Sequence, residues 1–283
     1  MLSKYKNFIR IFFLGLIVVS VVYFSMQNKT KEPQKVEIIQ SKNEEIIKEY
    51  PFRKYLHVKK FYTNLAKSAV DIGLKYNIPP GALLAIAGVE SGYGNGYVAR
   101  ITGNILSLGA QKGDKELPAL YLPNIKNFPS KVLYSPEKIK KYKKSELVWK
   151  KRPRSHKKDY RPVKIAGTSK ELDYFDKHPK EKLEANVKCM EEFAKDWIDK
   201  DKKHKPFVEA RQMLENEIKL HSKDILFDED LNKRFIKMIG GRKDSFNYRK
   251  TWPKKVITVM DKTGLVELTK GIYKTNKFSD ELW

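Results

Sequence analysis

Cysteine is nearly absent from this chain. Cys189 stands alone, which excludes an internal disulfide framework and a cysteine-based zinc site. Lying within a helical pattern, it reads as a small core residue. Histidine is also sparse. His57, His156, His178, His204 and His221 are scattered, none at the i, i+4 spacing with a glutamate that builds a helical zinc site, so no metal or other cofactor is assigned. Acids are outnumbered: 34 Asp and Glu face 58 Lys and Arg, a formal net charge of +24. A strongly acidic surface is excluded, and the expected partner carries negative charge, as nucleic acid, anionic lipid head groups and acidic polymers do. Long hydrophobic runs are rare too.

The one such run is "IFFLGLIVVSVVYFSM", Ile11 to Met26, preceded by Lys4, Lys6 and Arg10 in a basic end, residues 1–10. That profile is an export signal. Val, Tyr and Phe stand where a signal peptidase needs small side chains, so an uncleaved signal-anchor transmembrane helix over 11–26 is expected. Tyr5, Phe8 and Tyr23 extend it into the interface. The positive-inside rule then puts the basic end in the cytoplasm and the rest on the periplasmic or extracytoplasmic side of the cytoplasmic membrane. Residues 27–57, rich in Lys, Glu and Gln, read as a linker.

Beyond the linker the apolar spacing is helical. Phe61, Leu65, Ala69, Ile72 and Tyr76 form one stripe, and "PPGALLAIAGVE" forms a central helix opened by proline and stopped by the glycines from Gly92 to Gly96. Residues 109–167 are proline-punctuated and predict an irregular or small β lobe. Helices return with Leu183, Val187, Met190, Ala194 and Trp197 on one face, then Phe207, Ala210, Leu214 and Ile218, then a helix closing at Gly240-Gly241. The last clear helix runs from Pro253 to Gly264, leaving 266–283 as a C-terminal tail. The expected fold is mainly α.

Chemistry concentrates at "GVESGYGNG". Glu90 ends an apolar helix, where poor solvation and the negative end of the helix dipole both favour the protonated acid. A carboxylic acid still protonated near neutral pH is what a general acid needs, and the glycines after it admit a long substrate. The bland alternative is a solvated acid at a helix end.

"PPGALLAIAGVESGYGNGYVARITGNILSLGA" resembles the motif block of the peptidoglycan N-acetylglucosaminidases of glycoside hydrolase family 73, the flagellar-type and Bax-like enzymes among them. "ESGYG" matches at every position. In "NILSLG", Asn104 is retained while Leu106 and Ser107 replace the usual Phe and Gly. "NYRKTWPKKVITVM" resembles the family's closing motif. The likeness covers about residues 58–265, the expected glucosaminidase-like domain. It implies a lysozyme-like α+β fold, β-1,4 glycosidic bond hydrolysis on the N-acetylglucosamine side with Glu90 as general acid, and substrate contacts from Tyr93, Asn104 and Tyr248. By the family's commoner spacing the tyrosine position falls on Phe246; Tyr248 is chosen because it carries a hydroxyl. Candidates for a second acid are Asp114, Glu116, Glu137, Glu146 and Asp159. A lytic transglycosylase of the same superfamily and a non-catalytic peptidoglycan-binding envelope protein are the alternatives. The Gly-Leu-Met-Gln-like segment usual in transglycosylases is missing, which favours hydrolysis.

Residues 138–164 hold thirteen Lys or Arg against two acids, with Tyr142, Trp149 and Tyr160 interleaved. This basic inserted lobe reads as a surface for peptidoglycan or associated anionic envelope polymers; the export signal argues against nucleic acid.

Overall fold

A computed structural model of the chain describes residues 49–109, 114, 121–133, 136–151 and 158–283. The expected anchor over 11–26, the linker up to residue 48 and Glu116 lie outside the described residues. Among the described residues no helix is long and apolar enough to cross a membrane. Tyr50–Trp283 form one compact unit, and it is mainly helical.

The centre of the unit is a helix hairpin. Helix α1, Leu56–Tyr76, buries Phe61, Leu65, Ala69 and Ile72, the stripe expected from their spacing. Asn77, in left-handed conformation, closes it. Helix α2, Pro80–Ser91, opens on a proline and buries every side chain from Pro80 to Gly88. Such a helix cannot tolerate open backbone donors at its start. The Oδ1 of Asn232, itself fully buried, accepts from the Ala82 N–H at 2.8 Å, while its Nδ2 donates to the Leu226 and Asp228 carbonyls at 3.0 and 2.7 Å. Gly88 lets the helices meet: a Cβ there would fall 2.1 Å from the Tyr62 hydroxyl.

A short helix α3, Tyr97–Thr102, leads into the middle lobe. Strands β1 (Tyr121–Ile125), β2 (Phe128–Val132) and β3 (Leu147–Lys151) make an antiparallel sheet in the order β2-β1-β3, with a short helix α4, Pro136–Ile139, between β2 and β3. Leu122 fastens the sheet to the helical body through Ile101 and Leu172.

After the turn helix α5, Tyr174–Lys177, helix α6 spans Pro179–Glu192 and continues as a π-helical segment, Phe193–Asp199. Its core-facing side corrects the expected stripe. Leu183 is exposed, and the buried residues are Ala185, Asn186, Cys189, Met190, Phe193, Ala194 and Ile198. The small Ala185 and Cys189 let α6 approach closely: Cys189 lies against Asn104, and Ala185 would touch any Cβ on Gly103. Helix α7, Lys205–His221, buries Phe207, Ala210 and Leu214 as expected. Helix α8, Glu229–Ile239, is capped by Asp228, whose carboxylate accepts from the Leu231 N–H at 2.8 Å. Helix α9 spans Trp252–Thr263 and ends at left-handed Gly264.

The chain does not trail off there. Helix α10, Leu265–Thr275, buries Leu265, Val266, Leu268 and Ile272, and Trp283 is 7% exposed. The expected tail at 266–283 is therefore part of the core, because its apolar residues keep the helical period past Gly264. The expected linker also ends early. Arg53, 6% exposed, donates to the carbonyls of Thr263, Gly264 and Leu282 at 2.9, 3.2 and 3.0 Å, and its guanidinium lies 5.1 Å from the Trp283 ring centre. One charged side chain thus ties the start of the domain to its end.

Candidate functional site

The turn after α2 is built by its serine. Ser91 donates its hydroxyl to the Ala87 carbonyl at 2.6 Å and accepts the Gly94 N–H at 2.8 Å, and its carbonyl accepts from the Gly96 N–H at 2.7 Å. Gly92 caps the helix at φ 55°, a conformation that costs glycine little. The motif is a rigid reversal, and it leaves Glu90 in the last turn of the helix.

Glu90 is half-buried. Its Oε1 accepts the indole N–H of Trp252 at 2.6 Å and the amide of Asn247 at 3.4 Å. Oε2 has no hydrogen-bond partner among the described residues and is not fully sealed from solvent. Burial raises the proton affinity of Glu90 above the ordinary carboxylate value. The Trp252 and Asn247 donors oppose this, as do the positive charges of Lys255 and Arg249, without overturning it. One oxygen is therefore held and the other is open, on an acid that keeps its proton longer than a solvated glutamate.

The groups that hold Glu90 come from the loop between α8 and α9 and from the first residue of α9. Phe246 N–H donates to the Ile239 carbonyl at 2.8 Å and Gly241 N–H to the Asn247 carbonyl at 2.7 Å, which pins Asn247. Gly240 is read in the sequence as a helix stop, but its backbone is extended, at φ −141°. Its requirement is space: a Cβ there would lie 2.2 Å from the Trp252 ring. Trp252, 4% exposed, fills that gap, and Phe246 packs against it at 5.7 Å between ring centres, with Phe193 at 5.1 Å on its other side.

The other expected site residues divide. Tyr248 is 72% exposed beside Asn247, at the rim of this corner. Phe246 is a packing residue. Tyr93, at φ 56°, turns its ring back onto α1, edge-on to Tyr62 at 5.9 Å and to His57 at 5.5 Å. It remains half-buried. Asn104 is corrected from substrate contact to loop staple. It is fully buried; its amide donates to the Leu108 carbonyl at 2.9 Å and the Lys158 carbonyl at 3.3 Å, and its Oδ1 accepts the Leu108 N–H at 2.8 Å and the Cys189 thiol at 3.5 Å. Burial pushes that thiol up to about 12.

Among the candidate second acids, Asp159 is sealed. Its side chain is 0% exposed and holds the Arg161 guanidinium at 2.7 Å and the Gly167 N–H at 2.9 Å. Asp114 is bound to Lys158 at 2.8 Å. Glu146 accepts the Lys143 backbone N–H, and Glu137 is exposed on α4. The basic lobe also departs from expectation. Tyr160 is mostly buried with its hydroxyl on Glu192 at 2.8 Å, and Tyr142 is half-buried, so of the three aromatics only Trp149 faces outward.

Sequence reasoning passed over Trp252 and Asn247 as partners of Glu90. The signal for Trp252 is its place at the first turn of a proline-opened helix, ahead of Pro253. Nothing in the spacing couples it to an acid 162 residues earlier. No known protein family, no curated protein and no solved structure matches the chain.

Proposed function

We propose that the protein is a peptidoglycan hydrolase, an endo-β-N-acetylglucosaminidase with a lysozyme-like α+β fold, in which Glu90 is the general acid. The observation that carries this reading is the one-sided hold on Glu90: Oε1 is fixed by Trp252 and Asn247 while Oε2 has no partner among the described residues, on a carboxyl whose proton affinity is raised by burial. In the proposed reaction Oε2 donates its proton to the glycosidic oxygen as the bond to C1 breaks; a water then adds its hydroxyl to C1 and returns its other proton to Glu90. Between these steps Arg249 and Lys255 steady the carboxylate, and the Trp252 N–H shortens the path to that charged state. Participation of the substrate's own acetamido group requires no protein base, which suits a site whose weightiest charged neighbours are cations. Tyr248, exposed at the rim, is the residue proposed to line up the sugar at the cleaved bond. The sequence supports a place in the cell envelope, anchored by residues 11–26.

The test is digestion of purified peptidoglycan followed by mass spectrometry of the fragments. Reducing N-acetylglucosamine ends from the wild type, and none from a folded Glu90→Gln, are expected. Anhydro ends would make the protein a transglycosylase; hydrolysis retained by Glu90→Gln would remove Glu90 from the mechanism.

A further inference from the structure

The middle lobe gathers exposed apolar side chains. Tyr121 is 45% exposed, Phe128 64%, Val148 38% and Trp149 48%. Strand register sorts them. Tyr121 pairs with Lys151, Pro123 with Trp149 and Ile125 with Phe128, so Tyr121, Trp149 and Phe128 stand on one face of the sheet. The opposite face carries Leu122, which is spent on the contact with Ile101 and Leu172. Leu122 anchors the lobe by one face, while Val148 on that face and the three rings on the other are exposed, the rings beside the buried Pro123 and Ile125.

The lobe is strongly basic. Residues 121–151 contain nine lysines against two acids, Glu137 and Glu146, and Arg152 and Arg154 follow directly. Lys126, Lys138, Lys140, Lys141, Lys143, Lys144, Lys150 and Lys151 are exposed. The expected export signal upstream, with an anchor over 11–26, favours a lipid surface over a nucleic acid as the anionic partner. Rings at the level of a water–apolar boundary, ringed by lysines, match a lipid head-group layer.

We propose that this lobe docks on an anionic lipid bilayer, with Trp149 and Phe128 entering the interface and the lysines resting on the head-group phosphates. The docking is independent of the chemistry at Glu90. Docked in this way, the domain is held against the membrane face.

The full chain is reconstituted with phosphatidylcholine bilayers, with or without phosphatidylglycerol, carrying brominated acyl chains. The emission of Trp149 is taken as the difference between wild type and Trp149→Phe. In anionic bilayers most of that difference should be quenched, and it should return at ~1 M salt, where the screening length falls to ~3 Å. A joint change of Lys140, Lys141, Lys143 and Lys144 to Gln should cut the quenching several-fold, and Glu90→Gln should leave it unchanged. Equal emission in neutral and anionic bilayers overturns the proposal. So does emission that ignores bromolipid and responds to soluble glycan strands or single-stranded DNA.

Discussion

Glu90 and Asp159 are both acids drawn out of bulk water, and their surroundings make them opposites. Asp159 meets Arg161, which also donates to the Thr168 and Lys170 carbonyls at 3.0 and 2.8 Å, so every charge in that corner is compensated and the side chains are sealed. Glu90 receives neutral donors on one oxygen only, with Lys255 and Arg249 acting through space. Burial with a fixed counter-ion makes a structural clasp, whereas burial with neutral donors and one open oxygen leaves a group that can give up a proton.

The sharpest way to break this contrast is to neutralise each acid. Glu90→Gln should lower peptidoglycan cleavage by about 10²–10⁴-fold with the fold intact, measured as released reducing ends and by circular dichroism. Asp159→Asn should do the reverse, costing about 3–5 kcal/mol of stability by leaving Arg161 buried and unpaired, measured by denaturant unfolding. Cleavage by the molecules still folded should persist.

The supports of Glu90 sharpen it further. Gly240→Ala drives a methyl group into the Trp252 ring and should cost about 1–3 kcal/mol in denaturant unfolding, with loss of cleavage in proportion to the displaced indole. Trp252→Phe keeps most of the ring and removes the N–H; cleavage should fall about ten-fold. Because that N–H favours the carboxylate, its loss raises the proton affinity of Glu90, so the alkaline limb of kcat/KM should move to higher pH.

The smallest effect is thermodynamic. The folded-state pKa of Glu90 lies above its unfolded value, so between the two the native state binds more protons and wild-type stability falls as pH rises. Glu90→Gln escapes this. Its stability relative to wild type should improve as pH climbs through the carboxylate range and then level off, which unfolding titrations across pH will measure.

Much of this was legible in the chain, for reasons that differ by residue. The stripe of α1 and the all-apolar α2 could be read because helical periodicity and proline at the first turn are local signals. The raised proton affinity of Glu90 was readable from its place at the end of an apolar helix. Its partners were not, since Trp252 fits into a gap left by the missing Cβ of Gly240 and Asn247 reaches Glu90 from a loop 157 residues away. Asn104 misled because buried amides that close loops look, in sequence, like amides that meet ligands. The tail at 266–283 misled because Gly264 is a true helix cap, and a second helix starts on the next residue.

The clip made by Arg53 has a mechanical meaning. A pull on the chain where it enters the domain is taken up by the Thr263, Gly264 and Leu282 carbonyls, at the junction of α9 and α10 and at the chain's far end. Glu90 sits at the C-terminal end of α2, whose backbone shares none of those bonds. Such a pull is therefore shared between the two ends of the domain, and none of the three carbonyls that take it belongs to α2.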